Sequence, residues 1–201
     1  SAQCGYAVAG AGDVNGDGFD DLLLRGSPTD RILLGPVDID GQIPITDPTA
    51  IGINPETMGS LSPDAADVNN DGINDLVFAR SDSQSQFTVF VIYGGADLPT
   101  VLDNPALVAD RQIVVPLDVT FDAAYPRLLD WNGDGYDDIV VSSSPSADDS
   151  TVDVARIYSG KVIADSPTSV VSETSARLLR VRPDSTVRES EMAAILGASG
   201  G

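Results

Sequence analysis

Carboxylate and amide side chains recur three times in one nine-residue pattern, each time directly before an apolar run. The first copy, Asp13–Asp21, places an oxygen-bearing side chain at positions 1, 3, 5 and 9 and a glycine at position 6. The other copies are Asp67–Asp75 and Asp130–Asp138. Hard cations such as Ca²⁺ are held by several carboxylate and carbonyl oxygens in a flexible shell. The pattern therefore predicts three calcium sites, one in each copy.

Four side chains and one backbone carbonyl are the predicted ligands of each ion. Glycine at position 6 permits a sharp backbone turn, which can direct the carbonyl oxygen of position 7 at the ion. The predicted ligands are Asp13, Asn15, Asp17, Phe19 and Asp21 in loop 1, Asp67, Asn69, Asp71, Ile73 and Asp75 in loop 2, and Asp130, Asn132, Asp134, Tyr136 and Asp138 in loop 3. At position 8, Asp20 and Asp137 are predicted to face outward. A metal-free Asp/Asn/Gly-rich turn is the alternative.

The surroundings of the three loops differ from those of an EF-hand. An EF-hand needs a bidentate Glu at position 12 and a helix on each side, whereas position 12 here is Leu24, Phe78 or Val141. The short apolar runs after the loops are rich in Leu, Val and Ile, which indicates buried strands. The sequence therefore predicts a strand–loop–strand site in which residue nine supplies the carboxylate that an EF-hand takes from residue twelve.

The loops recur at intervals of roughly 60 residues, a period typical of stacked supersecondary units. The strands around the loops are therefore expected to repeat with the same period. Each unit is predicted to hold a strand before the loop, an apolar strand after it, a third strand ending near a glycine, and a fourth, less regular strand. Such four-stranded antiparallel units are the blades of a β-propeller. The predicted fold is thus all-β, with about 3.5 blades: 1–55, 56–122, 123–174 and a partial blade over 175–201.

Several predicted strands are less regular than the apolar runs. The entry strands are predicted at Gly5–Ala9, Thr57–Leu61 and Pro126–Leu129, and the fourth strands near Gln42–Ile45, Gln112–Val115 and Ser169–Val171. Helical periodicity is weak throughout, so the only helix expected is a single turn within Leu98–Asp110.

The partial fourth unit is predicted to bind no metal. Its entry strand is placed at Ala176–Val181, and an ungapped alignment puts Ser185, Val187, Glu189 and Ala193 at the ligand positions. Our hypothesis is that an ion pair between Arg188 and Glu189 takes the place of the metal ion in this unit. The alternative is that both residues are simply exposed surface charges. Because three and a half blades do not close a ring, the remaining blades are expected from a longer parent chain or from another chain.

The stretch Gly5–Leu24 resembles an FG-GAP repeat, the blade of integrin α-subunit propellers, and the resemblance extends over essentially the whole chain. Cys4 precedes Gly5 where the family usually has Phe, and the second unit has Met58 before Gly59. The resemblance implies calcium in the first inter-strand loop of each blade, on one face of the propeller, held by positions 1, 3, 5 and 9.

Charge and composition limit the classes of function that the chain can have. The formal charge of −20 would still be about −14 with three divalent ions bound, which disfavours nucleic acid as a partner. No apolar run is long enough to insert directly into a membrane. The chain has no histidine, which excludes Ser-His-Asp catalysis and His-ligated zinc, so no enzyme activity is expected. Cys4 is the only cysteine, so no disulfide forms within the chain, and a small apolar strand residue is expected there.

These observations favour a calcium-stabilised extracellular or cell-surface binding or adhesion module, because carboxylate-rich structural sites suit the high calcium outside cells. Its ligand, a protein or a glycan, is expected at the longer connections Pro36–Pro55 and Ala96–Asp110. A carbohydrate-binding propeller lectin is one alternative, although Trp131 is expected to pack against its loop rather than to stack on a sugar. The non-catalytic propeller part of a larger secreted enzyme is the other.

Overall fold

The computed structural model describes residues 3–36, 50–81, 87–115, 126–143, 153–167, 169–171 and 176–181. These residues form three β-sheets, in which neighbouring strands are mostly antiparallel, and three helices of four or five residues. The predicted all-β class is confirmed at that level. None of the helices in these ranges is long and apolar enough to cross a bilayer.

The first sheet surrounds loop 1. Its antiparallel strands are β1 (Gln3–Gly12), β2 (Asp21–Ser27), β3 (Asp30–Leu33) and β4 (Ala50–Ile53), in that spatial order. Helix α1 (Pro55–Met58) follows β4. Loop 1 connects β1 to β2, so both of its ends are fixed by the β1–β2 ladder.

The second and third sheets repeat this arrangement. The second contains β5 (Ser60–Leu61), β6 (Leu76–Ser81), β7 (Phe87–Ile92) and β9 (Arg111–Val115), and the third contains β10 (Arg127–Leu129), β11 (Asp138–Ser143), β12 (Asp153–Tyr158) and β14 (Ala176–Val181). Between these lie β8 (Val101–Leu102), α2 (Pro105–Val108), α3 (Gly160–Ala164) and β13 (Val170–Val171). Loop 2 leads into β6 and loop 3 into β11.

Two short strands cross from one unit to the preceding sheet. Strand β8 pairs in parallel with β4, where Gly52 lies opposite Val101, and β13 pairs in parallel with β9, where Gln112 lies opposite Val170. Each of these two strands covers the outer edge of the preceding sheet, where unpaired N–H and C=O groups would otherwise remain. The prediction of purely antiparallel blades is wrong at these edges.

The core lies between the sheets, in two clusters. Successive side chains of strand β6 point to opposite sides of the sheet, and both sides are buried. Phe78 packs with Leu23 and Ile32 of the first sheet, whereas Val77 packs with Ile139 of the third. The second sheet is therefore sandwiched between the other two, which explains why the run after loop 2 is continuously apolar.

Three strand predictions were wrong. Thr57–Leu61 forms a strand only at Ser60–Leu61, because the Asn54 side chain accepts a hydrogen bond from the Glu56 N–H (3.1 Å) and starts helix α1. Ala176–Val181 is the fourth strand of the third sheet, paired with β12, rather than the entry strand of a fourth unit. Ser169–Val171 contributes β13 to the second sheet instead of completing its own.

Two further predictions of secondary structure are confirmed, and others fall on residues outside the described ranges. The single helical turn within Leu98–Asp110 is confirmed as α2, and the fourth strand at Gln112–Val115 is confirmed as β9. The predicted strand Gln42–Ile45 lies outside the described residues. So do Ser185, Val187, Arg188, Glu189 and Ala193 of the partial fourth unit.

Candidate metal centre

The three loops share one backbone conformation. Position 6 has a positive φ in each, 90° at Gly18, 86° at Gly72 and 87° at Gly135, as predicted from the glycine there. Position 4 is also left-handed, with φ of 75° at Gly16 and 57° at Asn70. Asn is among the few residues with a Cβ that tolerate this region. The repeated nine-residue pattern thus folds into three copies of one loop.

The carboxylate at position 1 organises each loop by accepting backbone hydrogen bonds from the turn that follows it. Asp13 Oδ1 accepts from the N–H groups of Gly16 (2.7 Å) and Asp17 (3.1 Å), and Asp13 Oδ2 accepts from Gly18 (2.7 Å). Asp67 and Asp130 repeat this arrangement, since each accepts from the N–H groups of positions 5 and 6. These bonds use local donors, so the loop conformation follows directly from its own sequence.

Positions 3 and 5 bond to each other across the mouth of loops 1 and 2. The Asn15 amide nitrogen donates to Asp17 Oδ2 (3.0 Å), and Asn69 donates to Asp71 Oδ2 (2.8 Å). The other carboxylate oxygen of position 5 accepts the N–H of position 7, at 2.9 Å from Phe19 in loop 1. The position-5 acids Asp17 and Asp71 are exposed and the position-3 amides are half-buried, so an ion that reaches the acids from solvent can replace these bonds.

The carboxylate at position 9 is buried beneath each loop. Asp21 is 1% exposed, and its two oxygens accept N–H hydrogen bonds from Val14 (2.9 Å) and Gly35 (2.7 Å). Asp75 and Asp138 have equally low exposure. Each of the three accepts a hydrogen bond from the glycine that follows the third strand of its own sheet. Position 9 therefore joins the loop to a second turn of the unit.

Burial raises the pKa of all three position-9 carboxyls, and for Asp75 the pKa rises from its ordinary value of 3.8 to about 7. Their backbone hydrogen bonds oppose this rise by stabilising the charged form. The carboxylates at positions 5 and 1 of the same loop raise the pKa further by like-charge repulsion. The ion pairs Arg25–Asp30 and Arg127–Asp64 involve none of these acids.

The donor set of each loop suits a calcium ion, although the side chains of the described residues do not form a closed cluster. In the part of the chain that the structure describes, no three His, Cys, Asp or Glu side chains converge on one metal position. The oxygens instead accept hydrogen bonds within the loop. Each loop still offers three carboxylates and one amide oxygen, which are the kinds of ligand that calcium requires.

A comparison with known families bears on these loops. Residues 13–78 match the family model described as an FG-GAP-like repeat. The chain carries an FG-GAP-like repeat. The match begins at Asp13, the first residue of loop 1, and ends at Phe78 in β6, so it includes loops 1 and 2. The resemblance stated from the sequence is confirmed for this stretch.

The position-7 residue is exposed in loop 1 and half-buried in loops 2 and 3. Phe19 is 52% exposed, and Lys161 lies 5.8 Å from the centroid of the Tyr136 ring. The backbone N–H of position 7 donates to position 5 in all three loops, which brings the peptide before it close to that carboxylate. The use of the position-7 carbonyl as a ligand stays a prediction.

Two groups of residues around the three loops have roles that were not predicted from the sequence. The glycines Gly35, Gly94 and Gly160 were assigned only to strand ends, yet their N–H groups bind the position-9 acids. Asp137 at position 8 was predicted to face outward, but its side chain accepts a hydrogen bond from the Asp67 N–H (2.8 Å). An oxygen-bearing side chain at position 8 of every loop is the signal that could have indicated this role.

Proposed function

We propose that this chain is a calcium-stabilised extracellular binding module, built from FG-GAP units of a β-propeller, with one Ca²⁺ ion in each of its three loops. The observation that carries the proposal is a buried acid at position 9 of all three loops, whose pKa is raised by burial and by the carboxylates at positions 5 and 1 of the same loop. Burying a carboxylate beside like charges is costly unless a cation compensates it. A divalent ion would supply that compensation in all three loops.

Each ion would be held by the residues predicted from the sequence, at positions 1, 3, 5 and 9 together with the position-7 carbonyl. When bound, calcium would draw the carboxylates together and neutralise them. The chain's own contribution is to fix position 1 through the turn N–H groups and to bury position 9 under the loop. Ions at these sites would be structural, since they would join the two strands on either side of each loop.

The proposed propeller rests on the way the sheets face one another. Leu76 and Ile139, the first apolar residues after loops 2 and 3, are 3% and 0% exposed because the preceding sheet covers them. Leu22, the equivalent residue after loop 1, is 44% exposed, and Val8 beside it on β1 is 58% exposed. A further blade, from a longer parent chain or from another chain, would bury this face in the same way.

Calcium titration tests the proposal directly. Metal-stripped protein should bind about three calcium ions in isothermal titration calorimetry. At calcium concentrations 100-fold above the dissociation constant, each site should add about 3 kcal/mol to the free energy of unfolding. For a chain of this length, that corresponds to a rise in Tm of about 5–10 °C per site.

Magnesium at equal concentration is the matched control, because it demands a smaller, octahedral shell and gives up its water reluctantly. We expect a much smaller rise in Tm with magnesium. If the stripped protein takes up no calcium, and melts at the same temperature with and without it, the proposal is refuted.

The ligand of the module is proposed to be a protein or a glycan. Of the two connections expected to bind it, Ala96–Asp110 contains β8 and α2 rather than a free loop, with Leu102 fully buried. Most of Pro36–Pro55 lies outside the described residues. The proposed role is non-catalytic, which also suits the propeller part of a larger secreted enzyme.

One observation favours glycan binding as a second candidate function. Trp131, at position 2 of loop 3, is 43% exposed, so much of its indole is available to stack on a sugar ring. A glycan array probed with the wild-type protein and with Trp131→Ala decides this. Binding that disappears in the variant would support a lectin, and the absence of any bound sugar would exclude it.

A further inference from the structure

The residue at position 8 of loop 2 is bonded to loop 1. The Asn74 backbone N–H donates to the carbonyl oxygen of Asp13 (2.8 Å), and the Asn74 side-chain Oδ1 accepts from the Asp13 N–H (2.9 Å). Asp13 is the first predicted ligand of loop 1. Both backbone groups of that residue are therefore held by a residue 61 positions later in the chain.

Position 8 of loop 3 repeats this contact with loop 2. The Asp137 N–H donates to the Asp67 carbonyl oxygen (2.9 Å), and Asp137 Oδ2 accepts from the Asp67 N–H (2.8 Å). One residue is an amide and the other an acid, yet the two contacts agree within 0.1 Å. What the position requires is therefore a side-chain oxygen that accepts a hydrogen bond, whatever its charge.

We propose that Asn74 and Asp137 are positioning residues that tie each calcium loop to the next, so that the calcium affinity of a loop depends on a residue outside it. The inference rests on the proposed calcium function. Groups that orient a metal ligand without touching the metal commonly affect affinity about tenfold or more. Here the oriented group is the backbone of position 1, whose carboxylate holds the turn of its loop together.

Close backbone packing supports the tie between loops. The Gly95 N–H donates to the carbonyl oxygen of Val14, at position 2 of loop 1 (2.9 Å). A Cβ added at Gly94 would lie 2.8 Å from the same carbonyl oxygen, and one added at Gly160 would lie 2.9 Å from that of Val68 in loop 2. Neighbouring units thus meet backbone to backbone at these points, which leaves position 8 little freedom to shift.

The contacts run in one direction along the chain, which makes the proposal specific. Loop 2 holds the first ligand residue of loop 1, and loop 3 holds that of loop 2. Asp20, at position 8 of loop 1, is exposed and makes no such bond to any described residue. Substitution of Asp20 is therefore the matched control for substitution of Asp137.

The experiment compares Asp137→Ala, Asp137→Asn and Asp20→Ala by calcium titration followed by NMR. The amide signals of Gly18, Gly72 and Gly135, the position-6 glycines that donate to position 1, report separately on loops 1, 2 and 3. We expect Asp137→Ala to weaken calcium binding in loop 2 by about fivefold to tenfold. Loop 3, which contains the substituted residue, should change much less.

The conservative and control variants should behave differently. Asp137→Asn should keep the calcium affinity of loop 2 within about twofold of wild type, because Asn74 makes the same contact with an amide oxygen. Asp20→Ala should leave all three loops unchanged. Amide exchange in calcium-free protein gives a second readout, in which the Asp67 N–H should exchange faster in Asp137→Ala than in Asp137→Asn.

Each outcome decides between supporting and overturning the inference. Equal calcium affinity of loop 2 in the wild type and in Asp137→Ala, or an effect confined to loop 3, would overturn it. An equal loss in the Asn variant would overturn it as well, because charge rather than the accepted hydrogen bond would then matter. If the wild type binds no calcium, the proposed function fails first, and the exchange of the Asp67 N–H still tests the contact itself.

Discussion

Asp75 makes the stability of the calcium-free protein depend on pH, and Asp75→Asn should remove its share of that dependence. The pKa of this carboxyl rises from 3.8 to about 7, mainly because it is buried. A group with a higher pKa in the folded than in the unfolded protein binds more protons when folded. Stability is then greatest below the unfolded pKa and falls as the pH increases towards 7.

The size of the effect follows from the same shift. Between pH 4 and pH 8, ionisation of Asp75 should lower the free energy of unfolding by about 4 kcal/mol. In the Asn variant this loss should disappear. The Asn amide can accept only one of the N–H groups of Val68 and Gly94 that now donate to the carboxylate, which costs about 1–3 kcal/mol at every pH. That constant cost cancels when slopes against pH are compared.

The assay is urea denaturation of metal-stripped protein at several pH values, for the wild type, Asp75→Asn and the control Asp103→Asn. Asp103 is an exposed acid outside the three loops, so its variant should follow the wild type. Asp21 and Asp138 also have raised pKa values and will leave part of the slope in the Asp75 variant. Parallel curves for the wild type and Asp75→Asn would refute the reasoning.

Two further predictions concern packing, and both are measured by urea denaturation. Gly160→Ala should cost about 1–3 kcal/mol, because an added Cβ would meet the carbonyl oxygen of Asp137, whereas at Gly10 nothing lies within 4 Å and Gly10→Ala should be nearly neutral. Leu76→Ala should cost about 2–5 kcal/mol, whereas Leu22→Ala, at the equivalent but exposed position, should cost less than about 1 kcal/mol. Equal costs within either pair would contradict the packing described here.

The loop conformation could be predicted from sequence because its determinants are local. Asp13 accepts hydrogen bonds from N–H groups three to five residues away, and the glycine at position 6 supplies the backbone conformation that the turn needs. The apolar strands after the loops were also predictable, since short apolar runs rich in Leu, Val and Ile indicate strands.

The strand roles at the unit boundaries could not be predicted in the same way. Val170–Val171 and Ala176–Val181 both contain aliphatic residues that suit a strand, and the sequence does not show which of them completes the third sheet. Only pairing shows that the first joins β9 and the second joins β12. Helix α1 forms where a strand was predicted, because Asn54 caps the helix and Pro55 occupies its first turn. This Asn-Pro signal is visible in the sequence and could have predicted the helix.

By itself, the sequence determined the three acidic loops, their turn geometry and the β-rich units that repeat around them, because those features depend on residues within one loop or one strand. Only the tertiary structure decided what Asn74 and Asp137 do, since their partners lie 61 and 70 residues away. It also decided which sheet faces are buried, because Leu76 and Leu22 follow their loops at the same position and differ only in whether another sheet covers them. Local hydrogen bonds can be inferred from spacing, whereas contacts between units depend on which surfaces the folded chain brings together.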